Sequence, residues 1–142
     1  MTGDNIIKRI AIFGSTGSVG VQALEVIEAH PDQFSVEILT AHKNHDLLIR
    51  QALRFKPNIV VISEESKYAE VKEVLSSTNT KVFGGEKALE EVAAMDCYDV
   101  MLAAIVGYAG LKPTLKALCH GKTVALANKE TLVVAGDIVI QK

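Results

Sequence analysis

The chain is 142 residues long, with a formal net charge of −2, 49% hydrophobic residues and 23% charged residues. That balance suits one globular domain with a real hydrophobic core, and the length is short for a two-domain enzyme. No overall basic field points to nucleic acid or an anionic membrane, so any anion site must be local.

Tryptophan is absent and aromatic residues are only 5%. The core is therefore aliphatic, which suits buried parallel strands covered by helices. Cys97 and Cys119 form no CxxC pair and are expected to be buried free thiols in a reducing cytosol. Met1 to Lys8 is polar and carries no secretory signal. The longest apolar run, Val100 to Val106, has the length of a buried strand and not of a membrane span. These features predict a cytoplasmic protein without a membrane segment.

In chain order, strand and helix patterns alternate. Lys8 to Phe13 is an apolar run that ends at glycine and reads as the first strand. Ser18 to Ala29 places Val19, Ala23, Leu24, Val26 and Ile27 at helical spacing, and His30-Pro31-Asp32 ends it. Phe34 to Thr40 is the second strand, with Phe34, Val36, Ile38 and Thr40 expected on one face and Glu37 on the other. Asn44 is placed to cap a helix from about His45 to Phe55. Pro57-Asn58 breaks that helix, and Ile59 to Ile62 is a third strand. An amphipathic helix with an acidic start is expected from Ser63 or Glu64 to Leu75.

Lys81-Val82-Phe83 is a short strand before Gly84-Gly85, and Glu86 to Met95 a further helix. Tyr98 to Val106 is the most apolar strand. Pro113 lies in the first turn of a helix ending near Gly121, as the proline-first, glycine-last asymmetry favours. Thr123 to Ala127 is a strand, and Lys129 to Val134 is expected to begin another helix. The alternation predicts α/β architecture: a Rossmann-like, doubly wound, mainly parallel sheet in a single domain. Asp137 to Lys142 reads as the opening of another segment, so the chain is expected to be a fragment of a longer protein.

The first strand runs into Gly14-Ser15-Thr16-Gly17-Ser18-Val19-Gly20, and a helix follows. The spacing is GxxGxxG. One glycine serves the tight turn, a second lets backbone approach a diphosphate, and a third lets the helix pack close. The helix N-terminus adds free N–H groups and a partial positive charge. Ser15, Thr16 and Ser18 are expected to offer hydroxyls to phosphate oxygens. A P-loop is disfavoured, because no Gly-Lys-Ser/Thr follows. NAD-specific folds place an acid at the end of the second strand to hold the ribose 2′-hydroxyl. Here that stretch reads Leu39-Thr40-Ala41-His42-Lys43-Asn44, without a carboxylate. Lys43 suits a 2′-phosphate, with Thr40, His42 and Asn44 as hydrogen-bonding neighbours. NADPH is the expected cofactor.

Two more stretches stand where ligands bind in open α/β sheets. Ala103 to Leu111 is rich in small residues that let a nicotinamide ribose lie over a strand end. Ala127-Asn128-Lys129-Glu130 follows the last strand. Helix capping accounts for Asn128 and Glu130, but Lys129 is unfavourable at a helix N-terminus.

Together, Gly14 to Gly20, Ala41-His42-Lys43-Asn44, Ala103 to Gly107 with Ala109-Gly110-Leu111, and Gly121-Lys122 through Ala127-Asn128-Lys129-Glu130 resemble the 1-deoxy-D-xylulose 5-phosphate reductoisomerase family. The resemblance covers essentially the whole chain and implies residue roles. Thr16, Gly17, Ser18 and Val19 contact the NADPH diphosphate, joined by Gly14 and Ser15 of the same loop. His42, Lys43 and Asn44 lie at the adenosine phosphate end, Ala104 and Ile105 at the nicotinamide side. Asn128 and Glu130 also touch NADPH, and Lys129 touches a sugar phosphate substrate. The family usually has glycine in place of His42, which alters the shape expected of that loop. The family isomerises and then reduces 1-deoxy-D-xylulose 5-phosphate to 2-C-methyl-D-erythritol 4-phosphate, with Mg2+ or Mn2+. Its metal ligands and substrate lid are expected beyond this chain, as are the parts that make it a homodimer. The implied fragment binds cofactor but does not turn over alone. Two other readings share the glycine spacing: an NADP-binding domain of a semialdehyde or homoserine dehydrogenase, and a non-catalytic NADPH-sensing domain.

Overall fold

A computed structural model describes residues 6–126. Asn128, Lys129, Glu130 and the helix expected from Lys129 lie outside the described residues.

Among the described residues, six strands form one parallel sheet: β1 (Lys8–Phe13), β2 (Phe34–Ala41), β3 (Ile59–Ile62), β4 (Lys81–Gly84), β5 (Val100–Ala103) and β6 (Thr123–Leu126). Their order is β4-β3-β2-β1-β5-β6, so the winding direction reverses between β1 and β5. Five α-helices connect them: α1 (Ser18–Ala29), α2 (His45–Phe55), α3 (Tyr68–Val74), α4 (Glu86–Ala93) and α5 (Leu111–Cys119). Parallel neighbours need such crossovers, and the common right-handed crossover puts helices on opposite faces when the winding reverses. The core divides accordingly. Leu24 and Ile27 of α1, Leu48, Ile49 and Ala52 of α2, and Val71 of α3 pack on one face of the sheet. Ala88, Leu89, Val92 and Ala93 of α4 and Ala117 of α5 pack on the other. The central strands are covered on both sides, which is why β3 is four consecutive buried aliphatic residues.

The alternation expected along β2 is broken. Ile10 pairs with Val36, but Ala11 pairs with Ile38, so Glu37 is an extra residue in a bulge. After the bulge the faces exchange. Val36, Leu39 and Ala41 join one core cluster while Ile38 joins the other. Glu37 is held at the sheet margin, accepting hydrogen bonds from Ser35 (2.9 Å) and Asn58 (2.5 Å).

Other differences are local. The helix expected up to Leu75 has α-helical geometry only over Tyr68–Val74, with single 3-10 turns at Glu65–Lys67 and Leu75–Ser77. The strand expected from Tyr98 to Val106 pairs only over Val100–Ala103. Its early residues are held otherwise. Tyr98 is fully buried and donates its hydroxyl to the Ala93 carbonyl at 2.6 Å. Asp99 is tied to Arg9. Cys119, expected to be buried, is exposed, and Cys97 is half-buried.

Candidate dinucleotide-binding site

The turn after β1 is built from conformations that only glycine meets at low cost. Gly14 has φ +96°, and a Cβ there would lie 2.7 Å from the Ala104 carbonyl oxygen. Gly20 sits in the first turn of α1, where a Cβ would collide with the Gly14 carbonyl oxygen and lie 2.7 Å from the Ser15 Cα. Gly17 is different: a Cβ there would meet only the Gly14 carbonyl oxygen, at an ordinary 3.8 Å, and its φ is −78°. It is the N-cap of α1 and offers no side chain to the first-turn N–H groups. Those N–H groups are left for an incoming acceptor, which makes the start of α1 an anion cradle.

Ser15 does not serve that cradle with its hydroxyl. The residue is fully buried. Its Oγ donates to the Gln51 Oε1 at 2.7 Å and reaches the Thr40 carbonyl at 3.2 Å. Its N–H donates to the same Thr40 carbonyl at 2.8 Å. The expectation that Ser15 offers a phosphate donor is therefore corrected: a buried hydroxyl is satisfied inward because leaving it unpaired is costly. Thr16 faces the cleft, and Ser18 and Val19 are exposed on the first turn of α1.

The cleft lies at the C-terminal ends of the strands, beside the winding reversal, and has a volume of about 320 Å³. Gly14, Thr16 and Gly17 form one side. The end of β2 contributes Thr40, Ala41 and His42, and the loop after β5 contributes Ala104, Ile105 and Val106. Ligands of open α/β sheets bind in this position. Ala104 is locked to the glycine turn, since its N–H donates to the Phe13 carbonyl at 2.8 Å. Ala104 and Ile105 are half-buried here, and Val106 is 82% exposed.

At the β2 end, Asn44 accepts a hydrogen bond from the Leu47 N–H at 3.3 Å and so caps α2. Lys43 is exposed, and its side chain makes no hydrogen bond or ion pair with another described residue. His42 turns toward β3, with its Nδ1 2.8 Å from the Ser63 Oγ. Its Nε2 stands 3.9 Å from a Glu64 carboxylate oxygen. The stretch Leu39 to Asn44 has no acid of its own, yet the fold brings Glu64 to its flank from the segment that follows β3.

Sequence reasoning also missed Ser63, Glu86 and Leu89, which line the cleft. Ser63 directly follows β3, so the rule that ligands sit at strand C-termini could have found it. Glu86 and Leu89 come from the far face of the sheet, and only the three-dimensional winding places them there. Among the described residues, one group of potential metal ligands is clustered: His45, Asp46 and Glu70. It lies on α2 and α3, not among the residues lining the cleft.

A family profile described as 1-deoxy-D-xylulose 5-phosphate reductoisomerase matches residues 10–136. The chain belongs to the 1-deoxy-D-xylulose 5-phosphate reductoisomerase family. The reductoisomerase of Bacteroides fragilis is 56% identical over 134 residues, covering 94% of this chain and 34% of that protein. That of Porphyromonas gingivalis is 48% identical over 134 residues, covering 94% of this chain and 35% of that protein. The chain thus spans about a third of the length of the curated reductoisomerases it matches. Among solved structures, the Zymomonas mobilis reductoisomerase in complex with NADPH superposes with a TM-score of 0.89. It is 42% identical, and the match covers 96% of this chain and 36% of that one. A reductoisomerase complex with NADPH, fosmidomycin and magnesium also scores 0.89, at 38% identity, over 95% of this chain and 33% of that one. The Rossmann-like reading of the fold agrees with these neighbours.

Proposed function

We propose that this chain is the NADPH-binding domain of a 1-deoxy-D-xylulose 5-phosphate reductoisomerase. The observation that carries this reading is the uncapped start of α1, opening beside a glycine turn onto the cleft at the winding reversal. The residues fit the cofactor. The Gly17 cap leaves first-turn N–H groups for a diphosphate, and Thr16 and Ser18 add hydroxyls. Lys43 pairs with a 2′-phosphate, with His42 and Asn44 beside it. Ala104 and Ile105 present small apolar surface to the nicotinamide end. NADPH supplies hydride to a carbonyl carbon when bound.

Within the whole protein, Asn128 and Glu130 complete the cofactor site and Lys129 meets the sugar phosphate. These three assignments rest on the family motif. The substrate, 1-deoxy-D-xylulose 5-phosphate, its conversion to 2-C-methyl-D-erythritol 4-phosphate, the homodimer and the cytoplasmic setting rest on family membership. No helix among the described residues is long and apolar enough to cross a membrane. Magnesium accompanies some of the solved relatives. Among the described residues, the one cluster of potential metal ligands, His45, Asp46 and Glu70, is not among those lining the cleft. Family membership favours this reading over a semialdehyde or homoserine dehydrogenase.

Calorimetric titration of the 142-residue chain tests the proposal. NADPH should bind at one site and about tenfold or more tighter than NADH, the worth of one charge-assisted contact to the 2′-phosphate. Equal affinities would remove the role given to Lys43, and no binding of either would remove the domain assignment.

A further inference from the structure

Among the described residues, three of the four buried polar ones, Ser15, Thr40 and Gln51, form one connected group beneath the glycine turn. Gln51 reaches it from the middle of α2, where its side chain is only 7% exposed. Its Oε1 accepts from the Ser15 hydroxyl at 2.7 Å, and its Nε2 donates to the Ser15 carbonyl at 2.9 Å. The Ser15 N–H is held separately by the Thr40 carbonyl, and the Gly14 N–H donates to the Thr40 Oγ1 at 2.9 Å. Both peptide planes flanking Ser15 are thereby fixed.

The consequence lies in the next peptide group. A trans peptide holds its carbonyl and the following N–H antiparallel, and the described chain contains no cis bond. With the Ser15 carbonyl drawn toward Gln51, the Thr16 N–H must face the opposite way, away from α2. Thr16 is one of the residues that line the cleft. Its N–H has no acceptor among the described residues. We infer that Gln51 is a positioning residue for the diphosphate loop, holding the Ser15–Thr16 peptide so that the Thr16 N–H faces the cleft as an anion donor. The inference rests on the NADPH reading of the cleft. Gln51 touches no ligand in this arrangement. It acts by removing the alternative in which the peptide flips and presents a carbonyl oxygen to the phosphate.

The test compares two probes on the 142-residue chain. NADPH carries the diphosphate, and adenosine 2′-monophosphate carries only the end assigned to Lys43. Gln51→Met keeps the size of the side chain but removes both hydrogen bonds. It should weaken NADPH about tenfold or more and change 2′-AMP by less than twofold. Gln51→Glu keeps an acceptor for the Ser15 hydroxyl but loses the N–H donor, and should behave as Gln51→Met does. A folded Gln51→Met chain that binds NADPH within twofold of the parent overturns the inference. So does an equal loss of both probes, which would mark Gln51 as a merely structural residue. If neither variant folds, the parent chain decides: its Thr16 amide proton should shift downfield as NADPH is added, and an unmoved resonance overturns the inference. A parent chain that binds neither probe overturns the cofactor reading itself, which is a distinct outcome.

Discussion

Gly20 carries the sharpest constraint of any single residue in the glycine turn. Its missing Cβ is where the Gly14 carbonyl and the Ser15 backbone lie, and backbone atoms cannot swing aside as a side-chain end could. Gly20→Ala should cost about 1–3 kcal/mol of stability, as overpacking does. It should also weaken NADPH binding, because α1 can only relieve the clash by moving its N–H groups off the phosphate. Urea unfolding and calorimetry check the two halves. A variant as stable as the parent, with unchanged affinity, would contradict the geometry. The glycine spacing was legible in the sequence because φ sign and close approach leave few residue choices. The roles of the serines were not. Ser15, Thr16 and Ser18 are chemically alike, and only the position of Gln51, 36 residues on, turns Ser15 inward.

At the scale of elements, helix and strand positions followed from periodicity, and their ends followed less well. The Asn44 cap was readable because an amide before an amphipathic run has one obvious use. Asn44→Ala should lower stability by about 1 kcal/mol, read from the shift of the urea midpoint. A change below a few tenths would show that the 3.3 Å contact with Leu47 contributes nothing to stability. Strand β2 resisted reading for a physical reason. A bulge at Glu37 leaves hydrophobic composition unchanged while exchanging the faces, and no local signal in Val36-Glu37-Ile38 marks it. Strand β5 was read too long because Ala104, Ile105 and Val106 are as apolar as the strand before them. They leave the sheet to line the cleft, where their apolar surface is open to a ligand. Glu64 stayed hidden because it approaches His42 from the segment after β3, 22 positions further along the chain.

Across the whole molecule, one ion pair ties the start of β1 to the start of β5. Arg9 contacts Asp99 at 2.9 Å through its guanidinium, and the Arg9 backbone N–H donates to the same carboxylate at 2.9 Å. These hydrogen bonds hold the Asp99 carboxyl at about 2, below its ordinary value. A carboxyl whose pKa falls on folding contributes stability that is fully present above its unfolded value of about 4 and is lost as pH falls through 2. Asp99→Asn should therefore be less stable than the parent at pH 7, and the difference should shrink between about pH 4 and pH 2. Both groups are well exposed, so the effect is modest and salt-sensitive. Denaturant midpoints at the two ends of that window check it; a difference that does not change with pH would contradict the linkage.

In the proposed cofactor complex, one dinucleotide spans from the start of α1 to the end of β2. An amide-resonance map of the 142-residue chain, titrated with NADPH and then with NADH, tests it most directly. Thr16, Gly17, Ser18 and Val19 should shift with both cofactors, and Lys43 and Asn44 should shift strongly with NADPH and little with NADH. Unmoved glycine-loop amides, or identical shifts at Lys43 with the two cofactors, would contradict it.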